Sequence, residues 1–546
     1  VTLLEVLEPE TPQQLKAEDI WPFRDKITGE VITDPDFDQY MEWMHDLEFK
    51  RQLLAGLNMP RSFVPRPYQV EGAVWLRSGV PTNTKNFSDP DSIPLRSCKM
   101  LYDLPGLGKT LQAAMAMTVP AIVTCPGYLV QQWADFFADQ YPQWKVAAIT
   151  QGLLRTERQA LLDDPSYDIW VINHEMWAAR KEPFKGGKEP QMYYRNGKPN
   201  PDYSYEAWHK WYEAKEEHES LSKRKSFHFP RVRTLVIDES HHMRNRDASQ
   251  TVGCSNFADT CDYVFLLTGT PQYKDVRDWW NQLRIMDPLK FRSYRQWEYH
   301  YCYARTPTIY MVNPQRAAAL RDEIAPYAMG RTYKDVGLYL PDLIENTVKV
   351  NWHPDLRKAY NQLKQSMRIQ TDDGNSLAIN LASLLHTLRL FTGCPEKIDA
   401  VKQIVKDIPG DKPIILFCWY RDAAELLAEE FALLPSSIKI TGEFTQKERL
   451  NRASQPDSRV KCVTMAAASE GVDWSDASTV IFFEEDYVPG KLYQALSRVR
   501  RWNKEEREDP VIVYYVHMLN SVDEAVHAAV VERNGDIRKI LRRALK

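Results

Sequence analysis

Asp103-Leu-Pro-Gly106-Leu-Gly108-Lys109-Thr110 follows a predicted strand, Lys99–Tyr102, and opens a predicted helix. Gly106 and Gly108 let backbone N–H groups approach an anion at the N-terminus of that helix, where the helix dipole favours negative charge. In such a loop Leu107 lies between the two glycines. Lys109 is placed to reach the β- and γ-phosphates of a nucleotide, and Thr110 to offer its hydroxyl to magnesium. Asp103 stands where the usual pattern has its first glycine, so the octapeptide also reads as an ordinary glycine-rich turn. What surrounds it decides between the two.

Outward from this loop, short apolar runs alternate with amphipathic stretches. Lys99–Tyr102, Ala121–Cys125, Lys145–Ile149, Asp168–Ile172, Thr234–Ile237 and Tyr263–Leu267 form one series of predicted strands. Pro413–Phe417, Ile438–Thr441, Val460–Met465, Thr479–Phe483 and Val511–Val516 form a second. Short apolar strands separated by helices are the pattern of parallel sheets covered on both faces. The expected fold is therefore α/β with two lobes, residues 61–289 and 397–546. Between them residues 290–396 read as mainly helical, with Leu377, Leu381, Leu384, Leu385 and Leu388 at helical spacing. Residues 1–60 form an N-terminal extension of unknown role, and the tail, Ser521–Leu545, reads as an amphipathic helix that packs on a lobe.

Two further groups belong with the phosphate loop. Leu235-Val-Ile-Asp238-Glu239-Ser240-His241 ends a predicted strand in two carboxylates. Asp238 is suited to hold magnesium, and Glu239 to orient and polarise an attacking water. An acidic turn at a strand end is common alone. Downstream of a Lys-Thr phosphate loop, it implies nucleoside-triphosphate hydrolysis. In the second lobe Arg498 and Arg501 lie three apart on a predicted helix, so both guanidinium groups share a face. They read either as a solvated basic face or as fixed cations that neutralise charge developing on a γ-phosphate held by the other lobe.

Composition narrows the classes. Hydrophobic residues are 43% and charged residues 26% of the 546, as in ordinary globular proteins. Seventy Lys and Arg against 74 Asp and Glu leave a net charge of −4, so any polyanion surface is a local patch. No apolar run approaches the roughly 18 residues of a membrane span, and no basic start followed by an apolar region suggests a signal peptide. The eight cysteines contain no CxxC pair, which argues against a disulfide framework or a zinc ribbon and for a reducing, cytoplasmic setting.

These motifs, in this order, resemble the superfamily-two helicase-like ATPases, and among them the Swi/Snf branch of double-stranded DNA translocases. Arg66-Pro-Tyr-Gln69 resembles that branch's adenine-recognising segment, and Asp103 to Thr110 its motif I, leading Asp included. Thr124-Cys-Pro126 with Trp133, then Val171-Ile-Asn173-His174-Glu175, resemble the next two segments. Asp238 to His241 fits motif II, and Thr268-Gly269-Thr270-Pro271 motif III. Ile324-Ala-Pro-Tyr327, Lys334-Asp-Val336 and Leu340-Pro341 resemble the branch's inter-lobe segment. Thr464 with Glu470-Gly471-Val-Asp473 stands at motif V, and Gln494 to Arg501 at motif VI. Glu-Gly-Val-Asp-Trp at motif V is closer to general helicases than to the branch.

The resemblance implies tandem RecA-like lobes that bind ATP and magnesium between them. It implies nucleotide contacts from Arg66, Gln69, Gly471 and Asp473, and coupling through His241, Thr268, Gly269, Thr270 and Gln494. It implies a partner, DNA and double-stranded in this branch, gripped by residues including Thr124, Asn173, His174 and Thr464. The resulting expectation is an ATP-driven duplex translocase, DNA-associated in a bacterial, archaeal or viral-host cytoplasm. Two other readings stand beside it: a helicase that unwinds or anneals forked DNA, and an ATP-switched DNA-binding subunit of a larger defence or restriction complex. The insertion 180–231 carries 12 Lys and Arg, 8 Asp and Glu and ten aromatics. It reads either as a helical hairpin packing its own aromatics or as a surface that stacks unpaired bases. It and residues 1–60 are the places where a protein partner is expected.

Overall fold

The computed structural model describes residues 56–62, 64–78, 97–179, 204–221, 226–306, 309–338, 340–366, 377–409, 412–432, 437–455, 458–468, 472, 474–500 and 509–541. Numbering strands along the chain, β1 (Ser97–Leu101), β2 (Ala121–Cys125), β3 (Val146–Ile149), β4 (Ile169–Asn173), β5 (Thr234–Asp238) and β6 (Tyr263–Leu267) belong to the first lobe. β7 (Cys302–Thr306) and β8 (Ile309–Val312) form an antiparallel pair, and β9 (Ala328–Met329) joins the first sheet beside β1. The second lobe holds β10 (Leu343–Val350), β11 (Ile414–Cys418), β12 (Ser437–Ile440), β13 (Val460–Thr464), β14 (Thr479–Phe482) and β15 (Val511–Met518). The first sheet runs β3-β4-β2-β5-β6-β1-β9 and the second β10-β15-β14-β11-β13-β12. Both are parallel throughout. The architecture is two α/β lobes of the RecA-like kind.

The strands are legible because both faces are covered. Alternate residues of β1 divide between two cores: Cys98 and Met100 on one side, Leu101 on the other. In β11, Ile415 and Phe417 point to one core and Ile414, Leu416 and Cys418 to its opposite. Every residue of β1, β2, β4, β5, β11 and β13 is buried. All eight cysteines are buried as well, and none is joined in a disulfide.

Residues 290–396, read as mainly helical, contain strands as well. They hold the helices Tyr294–Tyr301, Ala317–Ile324, Pro354–Ser366 and Leu377–Thr392, but also the β7–β8 pair, β9 and β10. β9 and β10 extend the two sheets, so this stretch is built into both lobes. Within the insertion, Tyr205–Leu221 is a helix on which the Trp208 and Tyr212 rings stack at 5.2 Å. Residues 180–203 and 222–225 of the insertion, and residues 1–55, lie outside the described residues. Among those described, no helix is long and apolar enough to cross a membrane.

Candidate functional site

Sheet order assembles the site. β6 lies between β1 and β5, and Leu267 at its end pairs with Leu101 on one side and Asp238 on the other. The phosphate loop after β1, Thr268-Gly269-Thr270 after β6 and the carboxylates ending β5 therefore leave the sheet at one level, side by side. Ligands of open parallel sheets bind at such carboxyl ends.

The loop has the backbone its glycines predict. Gly106 (φ 84°) and Gly108 (φ 78°) are both left-handed. A Cβ on Gly108 would also lie 2.5 Å from Gln69 Nε2, so Gln69 rests directly on the loop. Gln69 Oε1 accepts from the Arg66 N–H at 2.9 Å, and Gln69 Nε2 donates to Leu107 O at 3.4 Å. Gly108 caps the helix Lys109–Ala116. Lys109 Nζ donates to Asp103 O at 2.6 Å. Burial lowers the Lys109 pKa, an effect that Glu239, Asp103 and Asp238 oppose and the charge of Arg498 reinforces.

Asp238 and Glu239 are separated electrostatically. Burial and the neighbouring Glu239 charge raise Asp238, whose Oδ2 accepts the Trp133 indole N–H at 2.8 Å. Burial acts upward on Glu239 too, but the His241 hydrogen bond and the charges of His241, Lys109 and Arg498 outweigh it and hold it ionised. Glu239 itself is left-handed, at φ 47°. His241 Nδ1 lies 3.1 Å from Thr268 Oγ1 and 3.2 Å from Glu239 Oε2. Its ring stacks on Tyr273 at 4.6 Å and 5°. Tyr273 abuts Gly490, where an added Cβ would meet its ring at 2.6 Å. Gly490 is the second residue of the helix Pro489–Val499, which carries Gln494 and Arg498.

Thus Lys109, Asp238, Glu239 and Arg498 converge, with Thr268, Gly269, His241 and Tyr273 running from the carboxylates toward the second lobe. Gly269 packs on Pro105, and a Cβ there would lie 3.8 Å from Lys109 Nζ. Arg501, Gly471 and Asp473 lie outside the described residues. The donor set fits a magnesium nucleotide: an ammonium and backbone N–H groups for phosphate, a hydroxyl and a carboxylate for a hard divalent ion.

The four expected polymer contacts are all buried. Thr124 is 0%, Asn173 2%, His174 5% and Thr464 6% exposed. Thr124 Oγ1 lies 3.0 Å from His174 Nδ1 and accepts the Trp177 indole N–H at 3.0 Å. In this conformation these side chains face the interior and offer no surface to a polymer. Strand ends in a doubly covered sheet are buried by the loops above them, and that is invisible in a motif.

Arg331 was missed. It pairs with the buried Asp103 carboxylate through Nη2 at 2.7 Å and Nε at 3.0 Å, and donates to Gln112 Oε1 at 2.6 Å. A carboxylate in place of a glycine beside a phosphate loop needs a cation, and that need was the available signal. Tyr333, just beyond it, donates its hydroxyl to Pro105 O.

A family model described as SNF2-related domain matches residues 39–395, more than half of the chain. One described as helicase conserved C-terminal domain matches residues 396–503. The DNA annealing helicase and endonuclease ZRANB3 of Mus musculus is 24% identical over 286 residues, covering 49% of this chain and 26% of that protein. The DNA repair and recombination protein RAD26 of Saccharomyces cerevisiae is 23% identical over 513 residues, 78% of this chain and 43% of that protein. The chain spans less than half the length of these curated relatives. The solved Sulfolobus solfataricus SWI2/SNF2 ATPase core in complex with dsDNA covers 89% of this chain and 94% of its own, at 19% identity and a TM-score of 0.37. On the extent of the first match, the chain belongs to the SNF2-related family, with a helicase conserved C-terminal domain following.

Proposed function

We propose that the protein is an ATP-dependent DNA translocase of the Swi/Snf type, hydrolysing ATP between its lobes to move along duplex DNA and displace what is bound there. The observation that carries this reading is the contact of Tyr273, stacked on His241 beside the catalytic carboxylates of the first lobe, with Gly490 of the second-lobe helix that carries Arg498. A nucleotide held there is sensed by both lobes at once.

In this mechanism Gly106, Leu107 and Gly108 cradle the phosphates, and Lys109 neutralises the β and γ groups. Thr110 and Asp238 would hold magnesium, which would supply divalent charge to offset that of the phosphates. Glu239, kept ionised, orients the attacking water. Arg498, with Arg501, Gly471 and Asp473 of the same motifs, stabilises charge developing in the transition state. Thr268, His241 and Tyr273 relay the state of Glu239 to Gly490 and Gln494. The DNA partner is supported by the relatives' names; protein partners through residues 1–60 or 180–231 remain part of the proposal.

The test is ATP hydrolysis with no polymer, single-stranded DNA, duplex DNA, forked duplex and duplex RNA, with Lys109→Ala as the inactive control. Strong stimulation by plain duplex supports translocation. Preference for forks moves the reading to an annealing or unwinding helicase, which the likeness to an annealing helicase favours. Activity indifferent to every polymer overturns the autonomous motor and leaves the ATP-switched subunit.

A further inference from the structure

A second cluster lies in the second lobe, apart from the nucleotide cleft. Glu485 follows β14, His517 is on β15, and His527 is on the C-terminal helix Val522–Leu541. Three separate segments bring one carboxylate and two imidazoles together, their ligand atoms all within 4.8 Å of one another. His517 Nε2 is 2.6 Å from Glu485 Oε1, and His527 Nδ1 is 3.0 Å from each Glu485 oxygen. The Glu485 and His517 side chains are each 4% exposed, whereas His527 is 27% exposed and forms the open side.

We propose that Glu485, His517 and His527 bind one divalent transition-metal ion, zinc by the chemistry of the donors. Two neutral imidazole nitrogens and one carboxylate are the three-ligand set that zinc takes when its fourth position is left to water. Imidazole donors also select against magnesium and calcium, which prefer oxygen. Room for the fourth ligand adjoins the cluster: a cavity of about 10 Å³, lined by Glu484, Glu485, His517 and Asp523 as its polar groups. That is about the space one water's centre needs, and its walls offer the partners such a water requires. The spacings of 2.6 and 3.0 Å are those of proton-bridged groups. Tetrahedral zinc with ligands at about 2.0–2.1 Å holds its donors roughly 3.3 Å apart. Uptake therefore moves Glu485 Oε1 and His517 Nε2 apart by roughly 0.7 Å and Glu485 Oε1 and His527 Nδ1 by roughly 0.3 Å, and each ligating nitrogen must be free of its proton.

The surroundings fit a cation and give the site a consequence. Glu484 adds a second carboxylate beside the cavity, while Asp523 is already paired with Lys397 at 2.7 Å. Arg389 donates to the Glu485 carbonyl, fixing the backbone that carries the carboxylate. The loop 484–488 leads directly into the helix Pro489–Val499 with Arg498. The C-terminal helix packs on Ala317–Ile324 and β8. A metal at this point staples the root of the arginine helix to the helix that spans both lobes.

The experiment uses the whole chain, stripped with a chelator and titrated with Co²⁺ and Zn²⁺. The expected result is one equivalent of Co²⁺ with the visible absorption of a tetrahedral nitrogen–oxygen site, displaced by Zn²⁺, and a higher melting temperature of the zinc-loaded protein. His527→Gln, on the open side, is expected to fold and to lose both the absorption and the zinc-dependent rise; His517→Asn and Glu485→Gln extend the series. Lys109→Ala is expected to keep them, which separates this site from the nucleotide cleft. Absence of a one-equivalent signal in the unsubstituted chain, or its persistence in His527→Gln, overturns the proposal.

Discussion

Arg331 and Asp103 show what one buried pair does for the phosphate loop. Asp103 is fully buried, and its carboxylate is held by Arg331 Nη2 at 2.7 Å and by Gln112 Nε2 at 3.0 Å. Arg331→Met leaves that carboxylate without its cation, and the expected loss of stability is about 3–5 kcal/mol. Adding Asp103→Leu removes the stranded charge, so the double variant is expected to regain most of the loss in urea unfolding. A double variant no better than the single one rejects the pairing as the cause. His174 makes a second residue-scale prediction. Burial, with His242 and His241 nearby, lowers its pKa to about 3. The unfolded histidine binds a proton near pH 6.5 and the folded one does not, so this contribution is complete above 6.5 and is lost as pH falls toward 3. At pH 5 the loss is on the order of 2 kcal/mol. The stability gap between the protein and His174→Gln is therefore expected to narrow by that amount between pH 7 and pH 5, without nucleotide; a constant gap refutes it.

At the scale of elements, Gly490 sets how closely the arginine helix approaches the first lobe. A methyl group there would meet the Tyr273 ring at 2.6 Å, and that ring lies flat against His241. Gly490→Ala is expected to displace the helix by a fraction of an ångström, leaving the fold and ATP affinity nearly unchanged. Turnover is expected to fall on the order of ten- to a hundredfold, because transition-state contacts are sensitive to small misplacements. Steady-state kinetics that show KM rising with kcat intact contradict this. The same contact explains what a sequence reveals and what it hides. The buried strands were legible because doubly covered parallel strands must be continuously apolar. β10 was not, because Leu343–Val350 alternates partly buried and exposed residues at a sheet edge, and its polar members hide the pattern. β9, Ala328–Met329, is too short to carry any pattern. Lys109, Asp238 and Glu239 were legible because phosphate and magnesium demand fixed residue types at fixed spacing. Tyr273 and Arg331 were not, because packing and charge pairing depend on where the chain returns.

Across the whole molecule, the lobes are joined by more than the cleft. The C-terminal helix Val522–Leu541 packs on Ala317–Ile324 and β8, Tyr273 abuts Gly490, and Asp275 of the first lobe acts on the Arg533 charge. These contacts hold the second lobe where Arg498 reaches the field of Lys109 and Glu239. If hydrolysis depends on that closure, a polymer stimulates it by favouring the closed arrangement, and removing the cation must uncouple the two. Arg498→Ala is expected to retain ATP binding and the folded stability of the parent. Its turnover is expected to drop on the order of 10³-fold, the scale associated with an arginine that stabilises phosphoryl-transfer charge. Stimulation by DNA is expected to vanish with it, because closure then brings nothing to the phosphate. Measuring nucleotide affinity, turnover and the ratio of turnover with and without duplex separates the outcomes. A variant that turns over slowly yet is still stimulated many-fold shows that DNA acts through the first lobe, and that Arg498 serves the chemistry without serving the coupling.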